Sequence, residues 1–235
     1  LLQGSNQMTR QGLLQALQQA RISTAGQRGI HMIGRLALEG LICFGTRQGK
    51  QQTFALLEEW VPQAMHIGRD QALAELTRRY FTSHGPATLN DFVWWSGQTI
   101  SDARAGLEMA GPSLSCQIVD GQTYWHSQSN SITSEGATNA FLLPAFDEYL
   151  VGYKDRSAVL DPRYARQINA GGGMLSPAIV IDGQVVGIWK RTFKKGSVTI
   201  TPKWFGALSE AQRYDYTQAV LRYADFHLLA ASSTA

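Results

Sequence analysis

Apolar positions near the start of the chain recur at helical spacing. Leu13, Leu14 and Leu17 fall on one face, and Thr9 is a suitable N-cap, so the pattern predicts a helix over 10–20. Glutamines recur four residues apart along the same stretch, and we expect them to line the polar face.

A second helix and a hairpin are predicted next. The helix begins at Ser23 or Thr24 and ends before Gly40. Its inward positions are Ile30, Ile33, Leu36 and Ala37. Two strands, over 41–45 and 52–57, follow and are joined by a basic turn. Helix, turn, helix and hairpin is the order of a winged helix-turn-helix, which we predict for 1–62, with a further helix expected upstream.

The same order of elements is predicted again over 63–127. Helical periodicity over 70–83 gives a first helix. Two further helices open with capping patterns, Thr88 with Asp91 and Thr99 with Asp102. Two strands that turn at an Asp-Gly pair complete a second winged helix.

The last part of the chain alternates like a sheet. A polar run over 127–139 predicts a linker. Three strands in a meander follow later, with turns at 182–183 and 195–196, and one buried face is expected to hold Val186, Ile188, Val198 and Ile200. A long helix begins at Ser209, and its predicted inward face consists of Tyr216, Ala219, Val220, Tyr223 and Phe226.

The predicted fold class is therefore α+β. Two tandem winged helix-turn-helix units are followed, over 128–235, by a C-terminal antiparallel β-sheet with a terminal helix. The chain opens on Leu1 and not on Met, so we expect a fragment of a longer protein.

Composition and charge narrow the class of protein. With 44% hydrophobic and 17% charged residues, the 235-residue chain is typical of globular proteins. The net charge of +3 is slight, but its distribution is uneven. Basic residues outnumber acidic ones by six to three over 1–62 and by eleven to nine over 131–235. Over 63–130, acidic residues outnumber basic ones by six to four. Positive charge is thus concentrated toward the two ends.

Other classes of function lack support in the sequence. Cys43 and Cys116 lie in apolar runs, which predicts buried, reduced thiols in a cytoplasmic, nucleoid-associated bacterial protein. No apolar run approaches the roughly 20 residues that cross a bilayer. The histidines lack metal-ligand spacing, so neither a metal nor an organic cofactor is expected.

The predicted hairpin carries charge of one sign. Lys190, Arg191, Lys194 and Lys195 lie near its turn, and no acidic residue occurs between Asp182 and Glu210. A one-signed projection suits a polyanion, of which DNA and RNA are the commonest. The alternative is an edge hairpin on which lysines prevent sheet-to-sheet pairing. Both interpretations stay open on this stretch alone.

Further candidates lie in the two predicted winged helices and after the linker. Arg28 and Arg35 on the second helix, and Arg47 and Lys50 on the first wing, are candidate DNA contacts, with plain solvation as the alternative. Trp94 and Trp95 could stack on a base, but their helical spacing beside Phe92 favours core positions. Asp147 is a weak candidate for a catalytic carboxylate.

Several long phrases resemble a known family. SHGPAT and DFVWWSG, LLPAFDEYLVGYKDRS, and IVIDGQVVGIWKRT are similar, in order, to the winged-helix DNA-binding family that includes AlkZ- and YcaQ-like DNA glycosylases. The resemblance implies tandem winged helices on duplex DNA, excision of alkylated or crosslinked bases, and a basic hairpin at Trp189-Lys190-Arg191 that inserts at the lesion. It also implies a Gln-x-Gln motif that places the hydrolytic water, but no two glutamines here are separated by one residue.

Three functions therefore stay open. The first is a DNA-repair protein of the glycosylase type, and the second is a non-enzymatic winged-helix DNA-binding or regulatory protein. The third is a protein-interaction scaffold, which the mildly acidic middle of the chain would suit. The first two share duplex DNA as the expected partner, while a protein partner remains open.

Overall fold

Two units make up the chain. A computed structural model describes residues 1–63, 67–128 and 139–233. The first unit spans Leu1–Ile67 and the second spans Gly68–Ala235. Most of the predicted linker lies outside the described residues. The division into three domains stays a prediction.

The first unit combines helices with a small antiparallel sheet. Its elements are β1 (Met8–Thr9), α1 (Arg10–Gln19), α2 (Arg28–Leu38), β2 (Ile42–Phe44), β3 (Thr53–Leu56) and α3 (Leu57–Trp60). In the sheet, β3 lies between β1 and β2. The predicted cap is confirmed, because the Thr9 hydroxyl accepts a hydrogen bond from the Gly12 amide. The predicted start of the second helix is wrong: a turn over 25–27, with Gly26 at positive φ, delays it to Arg28.

The core of the first unit is small. Its buried residues are Leu2, Leu13, Ile33, Ile42 and Phe54. On α2, Ile33 is buried as predicted, but Ile30, Leu36 and Ala37 are exposed. That part of the prediction is wrong because a unit of this size has too little interior to cover a whole helix face.

The first half of the second unit packs a helical layer with a hairpin. Its elements are α4 (Arg69–Ser83), α5 (Leu89–Ser96), α6 (Ile100–Ala110), β4 (Leu114–Val119) and β5 (Gln122–Ser127). The core that they form contains Tyr80, Phe81, Phe92, Ala103 and Leu107. These elements match the prediction closely.

Both predicted caps in this half are present. Thr88 and Asp91 form a reciprocal capping box at α5, and the Thr99 hydroxyl accepts from the Asp102 amide at α6. The cysteine prediction is wrong for Cys116, which is exposed on β4, while Cys43 is half-buried. The apolar run around Cys116 is misleading because, beyond Leu114, both faces of β4 are largely exposed.

The second half of this unit is built on a curled sheet. Its elements are β6 (Ala140–Leu143), α7 (Glu148–Val151), α8 (Ala165–Ile168), β7 (Asn169–Gly171), β8 (Met174–Leu175), β9 (Ala178–Ile181), β10 (Gln184–Lys194), β11 (Ser197–Trp204), α9 (Glu210–Phe226) and β12 (Ala230–Ser233). The strand order is β12-β11-β10-β9-β6. The sheet is mixed and not wholly antiparallel as predicted, because the chain returns through α9 and lays β12 parallel to β11.

Apolar residues cover both faces of this sheet. One face packs on α9 and includes Trp189, Val198 and Ile200. The opposite face packs on α7 and α8. The prediction that Val186 and Ile188 share a face is wrong, since they contact opposite cores. The cause is a register shift between Val185 and Gly187, which inverts the alternation beyond it.

The long terminal helix begins as predicted. Ser209 and Gln212 form a capping box at the start of α9. Tyr216, Ala219 and Val220 are buried against the sheet. Phe226 is 83% exposed, so its predicted inward position is wrong. No helix within the described ranges has the length and apolarity to span a bilayer.

Candidate nucleic-acid interface

Four cations of the first unit lie on its surface. Arg28, Arg35, Arg47 and Lys50 are all exposed. Arg35 pairs with Glu39, the residue that caps the end of α2, at 2.6 Å between Nε and Oε1. Exposed pairs of this kind are worth about 0.3–0.5 kcal/mol, so a phosphate group can displace Glu39 at little cost. The role of these cations in DNA binding stays a prediction.

A groove of about 660 Å³ lies beside one of these cations. It is bordered by α1, α2 and the β2–β3 hairpin, and Lys50 and Arg10 contribute its basic rim. Ile30 and Phe44, which are exposed, form part of its apolar floor. The groove therefore presents apolar surface and positive charge together.

The hairpin of β10 and β11, called here the basic hairpin, extends beyond the centre of its sheet. β9 pairs with β10 as far as Ile188, whereas β10 continues to Lys194 and pairs with β11 up to the turn. The turn is closed by Gly196 at positive φ, as the sequence predicts. Lys190, Arg191, Lys194 and Lys195 are all exposed along this extension.

The four hairpin cations do not form one patch. Because side chains alternate along a strand, Arg191 lies on the face of Trp189, and Lys190 and Lys194 lie on the other. An Arg191 guanidinium N–H donates to the Tyr223 hydroxyl of α9. The guanidinium carbon of Arg191 also lies 5.4 Å from the Phe193 ring centroid. Arg191 is thus held against α9, away from the two lysines.

The phrases that carry the family resemblance meet in the second unit. We call the assembly of His84, Trp95, Glu148 and Tyr153 around Tyr80 the motif cluster. His84 stacks on Tyr80, with ring centroids 4.7 Å apart, and its Nε2 lies 3.1 Å from a Glu148 carboxylate oxygen. Trp95 donates to the same oxygen at 3.0 Å. Segments that are distant in sequence are therefore joined here.

Backbone contacts tighten the motif cluster. The Tyr80 hydroxyl donates to the Gly152 carbonyl, and the Tyr153 hydroxyl donates to the His84 carbonyl. A side chain at Gly152 would bring its Cβ within 2.7 Å of both the Glu148 carbonyl and the His84 ring. Burial raises the pKa of the Tyr153 hydroxyl above its ordinary value, so it remains a protonated donor further into the alkaline range than an exposed tyrosine.

A buried carboxylate connects the same two segments. Asp91 is 4% exposed, and its carboxylate accepts from the Thr88 amide and hydroxyl of its own capping box. The other oxygen accepts from the amides of Lys154 and Asp155, at 2.9 and 3.4 Å. Asp91 is thus a cap residue and also the anchor of a distant loop.

The adjacent acids Asp147 and Glu148 have separate partners. Asp147 is the N-cap of α7, and its Oδ1 accepts from the Tyr149 amide at 3.0 Å. Glu148 begins the helix and reaches His84 and Trp95. The role of Asp147 as a catalytic carboxylate stays a prediction. The sequence presents Glu148 only as the neighbour of Asp147 in an acid pair, because its contacts with His84 and Trp95 depend on a chain reversal that no local pattern encodes.

Other expectations about this region need correction. Trp95 packs on the helical core as predicted, but Trp94 is 56% exposed and donates to the Val151 carbonyl. The adjacent charges of Asp155 and Arg156 suggest a local ion pair or a phosphate contact, and the ion pair is absent between these two described residues. Instead Asp155 accepts from the Ser157 amide, and Arg156 donates to the Leu150 carbonyl. Within the described residues, no three His, Cys, Asp or Glu side chains are arranged to hold a metal ion.

Comparison with known proteins identifies the class of fold and then the family. The fold is mixed α/β and is similar to the solved structure of the Streptomyces sahachiroi DNA glycosylase AlkZ, with a TM-score of 0.73 at 22% identity over 97% of this chain and 64% of that one. A family described as DNA glycosylase AlkZ-like matches residues 1–226, so the chain belongs to the AlkZ-like DNA glycosylase family.

A curated relative supports the same family. It is an interstrand DNA cross-link repair glycosylase of Streptomyces sahachiroi, 29% identical, and the match covers 71% of this chain and 47% of the relative. This chain therefore spans about half the length of the curated relative that it matches.

Proposed function

We propose that this chain binds duplex DNA and serves in the repair of alkylated or crosslinked bases. The observation that carries the proposal is the exposed basic hairpin, which has no acidic residue between Asp182 and Glu210, in a member of a DNA glycosylase family. A positively charged surface gains affinity for a polyphosphate because binding releases the counterions that are condensed on the polyphosphate. The proposed class of lesion follows from the function that the relative's name gives.

We further propose that both helix-and-hairpin arrangements act as winged helix-turn-helix units. In support, α1 and α2 precede the β2–β3 hairpin, and α4, α5 and α6 precede the β4–β5 hairpin. In such a unit the second helix of the motif enters a major groove and the wing lies along the backbone. Arg28 and Arg35 would then face the groove, and Arg47 and Lys50 would meet phosphates.

Base excision is a separate proposal that concerns the whole protein. The resemblance assigns the hydrolytic water to a Gln-x-Gln motif, and no two glutamines of this sequence are separated by one residue. Asp147 is the remaining candidate for a carboxylate that orients water, although one of its oxygens already caps α7. DNA binding is accordingly the function proposed for this chain by itself.

Fluorescence anisotropy of a labelled duplex tests DNA binding. Affinity should fall steeply between about 50 and 200 mM salt, and Lys194→Gln with Lys195→Gln should reduce the slope of log K against log salt by about 2 if each lysine contacts a phosphate. Arg163→Gln with Arg166→Gln removes equal charge from an exposed segment outside the hairpin and should leave the slope unchanged. Affinity independent of salt, or equal slopes for both variants, would contradict the proposal.

A second assay separates the enzymatic hypothesis from its rivals. DNA treated with a methylating agent is incubated with the chain, and abasic sites are revealed by alkaline cleavage. Base release would show that residues present here suffice for catalysis, and Asp147→Asn should then abolish it. Binding without release, with a preference for sequence over damage, would favour the regulatory alternative.

A further inference from the structure

A cavity of about 520 Å³ lies where the basic hairpin leaves its sheet and α9 ends. Its lining combines aromatic rings with two cations, and includes Trp189, Tyr223, Phe226, His227, Lys190 and Arg191. The volume lies within the range of about 300–1,000 Å³ for pockets that bind small organic ligands. The charge of the hairpin does not by itself explain why aromatic rings line this cavity.

The aromatic rings form a connected series. Trp189 is 4% exposed, and its indole N–H donates to the Leu143 carbonyl at 2.8 Å, which fixes the ring. The Tyr223 centroid lies 5.2 Å from Trp189 and 4.8 Å from His227, and Phe226 lies 5.2 Å from His227. Phe226 nevertheless exposes 83% of its surface. A flat ligand that covered its ring would bury apolar surface that water now contacts.

The charge of the cavity is as informative as its rings. Arg191 faces the cavity from the side of Trp189, Lys190 borders it, and the described lining includes no carboxylate. An aromatic peptide would use the rings but would leave Arg191 without an anion. A nucleotide supplies a flat ring system and a phosphate in one group, and therefore complements both features.

We propose that this cavity holds one unpaired nucleotide of a DNA strand, with its base against Phe226 and Tyr223 and its phosphate beside Arg191. The inference rests on the proposed function, and it specifies that the bound DNA contains an unpaired base. A paired base is covered on both faces by its neighbours, whereas an unpaired base can leave the stack at lower cost and present a face to a ring. The cavity would thus favour duplexes with an unpaired position.

Binding to two matched duplexes tests the inference. One is fully paired, and the other carries a single bulged 2-aminopurine, whose fluorescence reports its stacking. Because stacking on one aromatic ring contributes roughly 5- to 150-fold per base, this chain should prefer the bulged duplex by a factor in that range. Phe226→Ala should remove most of the preference while changing affinity for the paired duplex by less than about twofold, because the phenyl ring carries no charge that would pair with phosphates.

The control variant is Tyr214→Ala. Tyr214 is an aromatic residue on the same helix, is 66% exposed, and lies outside the lining of the cavity. It should keep both the preference and the fluorescence change of the bulged base. Thermal unfolding should show that Phe226→Ala folds normally, since the ring it removes is mostly in solvent.

The outcomes separate this inference from the proposed function. Salt-dependent binding to both duplexes without preference, or a preference that Phe226→Ala retains, overturns the nucleotide cavity and leaves DNA binding intact. Failure to bind either duplex overturns both. If Phe226→Ala instead abolishes self-association in sedimentation and leaves both DNA affinities unchanged, the exposed rings form a protein contact and the inference is wrong.

Discussion

Asp91 should be among the most sensitive residues of the second unit, although its local sequence pattern is ordinary. Asp91 and Asp102 both follow a threonine cap by three residues. Asp91 also accepts from the amides of Lys154 and Asp155, so it joins α5 to a loop that is distant in sequence. The matched pair Asp91→Asn and Asp102→Asn therefore separates the cap from the long-range anchor.

The expected magnitude follows from the hydrogen bonds. In Asp91→Asn, an amide N–H2 must face a backbone donor on one side or the other, because both carboxylate oxygens accept from amides. A lost hydrogen bond to a charged acceptor costs about 1.5–3 kcal/mol, and an unsatisfied buried donor costs about 1–3 kcal/mol. Because these two costs partly describe the same lost interaction, we expect the free energy of unfolding to fall by about 2–4 kcal/mol. At Asp102 the partners are a hydroxyl and an Arg69 guanidinium that is 70% exposed, and about 0–1 kcal/mol is expected.

Urea and thermal denaturation measure the difference. For a unit of this size, about 2–4 kcal/mol corresponds to a fall in Tm of roughly 4–16 °C, against no more than a few degrees for the control. Tryptophan fluorescence is a suitable probe because Trp95 and Trp125 pack on the same core. Equal losses for the two variants would refute the anchoring role, as would a loss below about 1 kcal/mol at Asp91.

Further predictions concern packing and pH. Gly106→Ala would place a Cβ in collision with the Thr77 hydroxyl oxygen and should destabilise the fold by about 1–3 kcal/mol, and adding Thr77→Ala should recover part of the loss. Gly34→Ala, which meets nothing within 4 Å on α2, should stabilise by about 0.5–1 kcal/mol in the same melts. The Arg78 hydrogen bond lowers the pKa of Glu75 to about 2. Its contribution is therefore present above its unfolded pKa of about 4.3 and lost as the pH falls toward 2, so the Tm gap to Glu75→Gln should close on acidification. A gap that widened there would contradict the assignment.

Features that depend only on residues close together in the sequence are predictable from it. Thr9, Thr88 and Ser209 cap the helices that their spacing indicates. The predicted turn at Asp182-Gly183 is present as well, and both residues adopt positive φ. In each case the hydrogen-bond donor and acceptor lie within a few residues of one another, so no knowledge of the tertiary fold is needed.

Features that depend on distant contacts are not predictable in this way. The register shift at Val185 moves Val186 and Ile188 to opposite faces, although a strict alternation places them together. Helical spacing from Tyr223 places Phe226 with the buried face, yet it is exposed, whereas Ala224 nearby is buried in the core. Periodicity identifies which side chains share a face, and it cannot indicate where the opposing surface ends.

The motif cluster and the turn of the basic hairpin direct their polar groups differently. His84, Asp91 and Glu148 make hydrogen bonds that join two segments of one unit, so their chemistry is directed inward. Lys194 and Lys195 are exposed at a hairpin turn, where charge is directed toward solvent. The first group stabilises the fold of the second unit, whereas the second group is free to contact a ligand. A test of DNA binding should therefore address the hairpin lysines, for which the salt dependence of binding is the measurement that depends on charge and not on stability.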